Sequence, residues 1–99
     1  MKKKRLFPLG ETLIVSVGAL DAFFKSNQRP ARFLLRHVTG DFGDINKDEA
    51  AANATSIKTK GRIMSRYTTT NGTTILVMTE AGVTEVVTPH EYLGETGER

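Results

Sequence analysis

Apolar and polar positions change their period several times along this chain, and each change marks an element. ETLIVSV, Glu11 to Val17, is apolar and β-branched, the pattern of a strand. GALDAFFKSN follows, with Leu20, Phe23 and Phe24 at helical spacing, Ser16 as the cap and Asn27 as the stop. QRPARFLLRHVTG is the clearest helix. Pro30 suits its first position, Ala31, Leu34, Leu35 and Val38 form an apolar stripe, and Gly40 ends it. DFGDINKDEAAANATSIKTKG reads as a turn that feeds a third helix. Asn46 caps that helix, Asp48 and Glu49 sit where the dipole favours acids, the alanine run supports it, and Gly61 closes it.

From Ile63 onward the pattern is β. Asn71-Gly72 is a strong hairpin signal and Ala81-Gly82 a second tight turn. With two residues in each turn, Tyr67 opposes Leu76, Ser65 opposes Met78, and Leu76 opposes Val87. Ile63, Tyr67, Leu76, Met78 and Val87 then share one face, and Ile75, Val77 and Val86 the other. The middle strand is apolar on both faces, which makes it central. Helices cover one side, and the N-terminal segment or a second subunit covers the other. PHEYLGETGER is a short cap and a polar tail. The expected architecture is α+β: N-terminal helices packed on a C-terminal antiparallel three-stranded meander, with an extra N-terminal strand as an option. The expected boundaries are a basic flexible N-terminus (1–9), a single domain (10–93) and a polar tail (94–99).

Composition narrows the classes. At 99 residues, with 38% hydrophobic and 25% charged positions, the chain suits one soluble domain with a modest core. It has no Cys, so disulfides and thiolate metal sites are excluded. No apolar run approaches the roughly 18 residues of a membrane span. MKKKRLFPLG starts like a signal peptide, but Pro8, Gly10 and Glu11 interrupt it, so the expected location is cytoplasmic.

The net charge of +3 is segregated. Lys25, Arg29, Arg32 and Arg36 form one basic block, and Lys58, Lys60, Arg62 and Arg66 another. Asp41 to Glu49 and Glu80 to Glu98 are acidic. Either the blocks make one positive and one negative surface, or they neutralise each other in three dimensions.

Few residues carry chemistry. Asp41-Phe42-Gly43 spells the metal-binding signature of kinases, but the glycine loop, strand lysine and catalytic loop are missing. Asp41, Asp44, Asp48 and Glu49 lack the alternating ligand spacing of a calcium loop and are explained by turn and cap formation. No metal and no cofactor is expected. His37 and His90 are the only candidate general bases, and His37 is expected to hydrogen-bond the turn backbone. Ser65 or Tyr67 with a His and Glu80 can be drawn as a hydrolytic set, without a motif behind it.

A metal-free ribonuclease is the more serious enzyme alternative, with Glu80, Arg62, Arg66 and His90 on or beside the sheet. In the pairing above, however, Glu80 and Arg66 point to opposite faces. Arg29, Arg32 and Arg36 share a helix face that is either an anion clamp or an ordinary solvated surface.

The chain resembles a family of small uncharacterised plasmid and prophage proteins, sometimes labelled as restriction-system subunits. The matching pieces are VGALDAF, PARFLLRHVTGDFGD, DEAAANA, GRIMSRY, ILVMTEA and TPHEY, in that order over most of residues 10–92. Phe42 stands where that family has Trp, and Ala81-Gly82-Val83 lacks its Asp-Arg after the Ala. The resemblance marks Arg36, His37, Gly40, Asp41, Gly43, Asn53, Arg62, Ser65, Tyr67, Glu80 and Tyr92 without assigning them roles.

The resulting expectation is a non-enzymatic accessory protein of a mobile element, binding a host or defence-system component in the manner of an anti-restriction or anti-CRISPR inhibitor. Its binding residues would be Arg29, Arg32, Arg36, His37 and Asp41, or the acidic C-terminal face. Nucleic-acid binding or ribonuclease activity through His37, His90, Glu80, Arg62 and Arg66 is the alternative. A homo-oligomer without independent activity is a third reading, and no membrane partner is expected.

Overall fold

The computed structural model describes residues 3–95. Lys2 of the basic start and residues 96–99 of the expected tail lie outside them. The elements run β1 (Thr12–Val15), α1 (Val17–Ser26), α2 (Pro30–Val38), α3 (Lys47–Thr59), β2 (Ile63–Thr68), β3 (Thr74–Glu80), β4 (Val83–Val87) and α4 (Pro89–Glu95). The strands form one sheet in the order β1-β4-β3-β2. The antiparallel meander β2-β3-β4 is present, and β1 adds to it parallel to β4. The fold is α+β. Among the described residues no helix is long and apolar enough to cross a membrane.

The helix ends follow local chemistry. Ser16 accepts the Ala19 backbone N–H and caps α1, and Asn27 closes it in the left-handed region at φ 57°. Pro30 opens α2. Asn46 and Glu49 form a reciprocal capping box on α3. That helix is closed by Lys60 at φ 65°, one residue before the expected Gly61.

Two expectations are corrected. The Asn71-Gly72 hairpin has a three-residue loop: Thr69 and Thr73 are joined by a backbone hydrogen bond, Gly72 donates to the Thr69 carbonyl, and Gly72 sits at φ 89°. The pairing therefore slips by one, so Tyr67 opposes Ile75, Ser65 opposes Val77 and Arg66 opposes Leu76. A one-residue slip turns every side chain of β2 over relative to β3. The second turn has the expected two residues, and Leu76 opposes Val87.

The α2 stripe is also rotated. Phe33, Leu34, His37 and Val38 are buried, whereas Ala31 and Leu35 are exposed. Phe33 enters the core because it stacks on Phe23 of α1 and meets Tyr67 of β2, with both ring centroids at 5.4 Å.

The main core lies between the helices and one sheet face: Ala19, Ala22, Phe23, Phe33, Leu34, Tyr67, Ile75, Val77 and Val86. A smaller cluster of Leu76, Met78 and Val87, joined by Met64 and Tyr92, occupies the other face under α4. α4 thus contributes cover where the sequence suggested the N-terminal segment or a second subunit. β1 takes an edge position instead.

The two edges of the sheet are treated differently. On β2, Asn53 of α3 donates to the Met64 carbonyl and accepts the Met64 N–H, and Phe42 and Asp44 bond to both backbone groups of Arg66. On β1, the only strand neighbour among the described residues is β4.

Candidate functional site

His37 is fully buried. Its Nδ1 lies 2.6 Å from Ser65 Oγ and its Nε2 lies 3.0 Å from Thr79 Oγ1. Thr79 continues to Thr84, which donates to the Leu9 carbonyl. Phe7 and Phe42 stand edge-on to the ring. Burial pushes the imidazole down to about 4, so it is neutral near pH 7. A neutral ring with both nitrogens engaged and no exposure ties α2 to β2 and β3. Its partners are side-chain hydroxyls, not the turn backbone that the sequence suggested, and it reaches neither substrate nor partner.

The Asp41-Phe42-Gly43 stretch is a junction. Arg36 donates to both oxygens of Asp41, at 2.8 and 3.2 Å, and lies over the Tyr67 ring at 4.5 Å. Their mutual hydrogen bonding raises the Arg36 pKa and lowers that of Asp41. The Tyr67 hydroxyl donates to the Asp41 carbonyl. Gly43 sits at φ 74° against β2, where an added Cβ would run into the Arg66 carbonyl and the Tyr67 ring. Only glycine meets both conditions. Arg36 is therefore committed within the fold, and Arg29 and Arg32 remain exposed from the triple-Arg set.

The register correction regroups the other candidates. Arg66 and Glu80 stand on the same sheet face, opposite the main core, and Arg62 approaches Glu80 there at 3.5 Å. The geometric objection to a ribonuclease-like set is thereby removed. The charges are nonetheless engaged. Arg66 holds Glu49 through two hydrogen bonds and draws its carboxyl down to about 2. Arg62 donates to the Tyr92 hydroxyl at 2.7 Å, a bond that raises its pKa.

Between α3 and α4 these groups rim a groove of about 550 Å³, floored by Met64 and Leu76 and bounded by Ala52, Pro89 and Tyr92. His90 is exposed on α4 and does not line it. Glu91 folds inward: against the cost of desolvation, bonds from Ser16, Thr88 and Gly18 bring its carboxyl to about 2. The pairs Arg36–Asp41, Arg62–Glu80 and Arg66–Glu49 join the basic blocks to the acidic ones, so the blocks neutralise one another in part, while Lys25 pairs with Asp21 of its own helix.

Leu20 and Phe24, which the helical spacing groups with Phe23, lie on the outside of α1. On α1, Ala19, Ala22 and Phe23 face inward, while Val17 is 82% and Phe24 86% exposed. With Leu20 they form an i, i+3, i+7 ridge, and Leu35 of α2 is exposed as well. The signal was present: α1 carries two apolar stripes, although packing on a sheet requires one.

Among the described residues no cluster of His, Asp and Glu has the makings of a metal site. The positions marked by the resemblance are largely one another's partners: Arg36 with Asp41 and Tyr67, His37 with Ser65, Gly43 against Tyr67, and Arg62 with Glu80 and Tyr92. No family model, no curated protein and no solved structure matches the chain.

Proposed function

We propose that this protein is a non-catalytic binding module that docks a protein partner through the outer face of α1 and α2. The observation that carries this reading is the near-complete exposure of Phe24 on the α1 ridge it forms with Val17 and Leu20; Leu35 of α2 is exposed as well. Contiguous apolar side chains of this size on a small domain are characteristic of interfaces, and aromatic anchors supply much of the binding energy. Arg29 and Arg32 stand close by in the chain, at the start of α2, and suit a partner with acidic groups around an apolar centre.

The resemblance to plasmid and prophage proteins sets the partner class as a host or defence-system component in the cytoplasm. Inhibition then consists of occluding that component's own working surface. His37 supports this surface from within the fold, and Asp41, partly exposed, is held by Arg36; neither is part of it.

Phe24→Asp tests the reading. Because the side chain is exposed, the fold is retained, while partner capture from host lysate falls by roughly thirty-fold, the equivalent of about 2 kcal/mol at an anchor residue. Undiminished capture would remove the ridge from the interface. Reversing Arg29 and Arg32 to Glu should chiefly slow association and flatten its salt dependence.

The shared face of Arg62, Arg66 and Glu80 is the specific observation behind a second reading, metal-independent RNA cleavage with His90 as the accessible base. The binding-module reading expects purified protein to leave RNA intact in chelator. Cleavage that disappears in both Glu80→Gln and His90→Ala would replace it with the enzyme.

A further inference from the structure

We propose that β1 is the dimerisation edge of this protein, pairing antiparallel with β1 of a second copy across a two-fold axis at Ile14. This goes beyond the partner-binding face and does not depend on it. The fold commits Asn53 and the Phe42–Asp44 segment to closing the β2 edge, and leaves the β1 edge without any strand beside it. Thr12–Val15 reads TLIV, with no charge, no proline and no bulge, and Leu13 and Ile14 are 49% and 46% exposed. Charge, proline and a bulge are devices with which proteins normally protect an open edge, and β1 carries none of the three; what limits this edge is its four-residue length.

The occupant follows from the backbone. Thr12 and Ser16 donate their N–H groups to the Gly82 and Val86 carbonyls. Residues of that parity face β4, so Leu13 and Val15 turn their N–H and C=O groups outward. Such an edge accepts an extended strand, and the copy of β1 is complementary to it. With Ile14 on the axis, Leu13 of one copy and Val15 of the other exchange both backbone bonds, and symmetry repeats the exchange. Every outward group of the strand is then paired, and no charge opposes its own copy. The two four-stranded sheets become one continuous sheet.

The register makes the test specific. The chain has no Cys, so each variant carries one thiol. In Ile14→Cys the two Cα atoms would stand about 4.5 Å apart, as in a pair without direct backbone bonds, and mild oxidation should give a disulfide-linked dimer. In Leu13→Cys the equivalent atoms lie across a diagonal of about 7–8 Å, and little linkage is expected. A mixture of Leu13→Cys and Val15→Cys chains should link to each other. Unmodified protein should sediment at twice its 10.9 kDa mass at micromolar concentration, and Ile14→Lys should sediment as a folded monomer.

A monomeric wild-type chain, a dimer unaffected by Ile14→Lys, or linkage of Leu13→Cys in preference to Ile14→Cys would each overturn the proposal.

Discussion

Lowering the pH from 7 to 4.5 is expected to remove about 2–3 kcal/mol of folding stability through His37 alone. Burial depresses its pKa from 6.5 to about 4. The unfolded chain takes up a proton near the higher value, and the native state refuses it until near the lower one. The contribution is therefore full above the unfolded pKa, declines as the pH falls, and is gone by the folded pKa.

Urea unfolding at a series of pH values, on wild type and on His37→Gln, measures the effect. The variant is less stable at pH 7, because Ser65 and Thr79 lose their fitted partner, but its profile should be flatter between pH 5 and 7. Parallel profiles would mean that the ring is protonated inside the fold or that the site opens before it titrates. A flattened profile would also exclude His37 as the base of any ribonuclease-like chemistry, because a sealed ring has no route to RNA.

The second large effect is expected at Asn53. α3 buries only this one residue, and it is polar. Its amide occupies both backbone groups of Met64 on the edge of β2, at 2.8 and 2.9 Å. Asn53→Ala deletes two hydrogen bonds and leaves a part-buried N–H and C=O without their partners, for a cost of about 2–4 kcal/mol. Asn53→Asp keeps the acceptor for the Met64 N–H but sets a carboxylate against the Met64 carbonyl, and is expected to be at least as damaging.

Amide exchange supplies the distinguishing readout. With its anchor gone, α3 rests on the Arg66–Glu49 pair and a half-buried Ile57, so residues 47–59 should lose protection before the sheet does. Uniform loss of protection across the domain would show that α3 and the sheet form one cooperative unit.

These two residues also show what the sequence discloses and what it hides. Local chemistry was legible. Ser16, Asn46, Pro30 and Asn27 mark helix ends because capping depends on one or two neighbouring residues. The α+β order and the Ala81-Gly82 turn were legible for the same reason. The Asn71-Gly72 loop was not: a dipeptide ending in glycine at positive φ fits both a two-residue turn and a three-residue turn with a bulge, and distant contacts decide between them. The bulged form puts Tyr67 beneath Arg36 and Ser65 against His37.

The same limit applies to the site. The ion pair Arg36–Asp41 lies within one turn of chain, yet the sheet-face companions Arg62, Arg66 and Glu80 were separated on paper by a single-residue error in register. The α1 ridge is not legible because apolar spacing reports that a helix has a greasy face, not how many such faces the rest of the chain can cover.

The parallel union of β1 with β4 has a consequence for synthesis. Contacts that fix the start of the chain, from Leu9 to Thr84 and from Ser16 to Glu91, join residues 75 apart. A ribosome delivers TLIV well before the β4 strand with which it pairs, since Thr12 is partnered by Val83. During translation the segment has both edges bare, and α1 lacks the carboxylate that completes its cap. The nascent protein therefore closes in a late step, and messages truncated before Val83 would release chains with their stickiest strand unsheltered, substrates for chaperones and proteases.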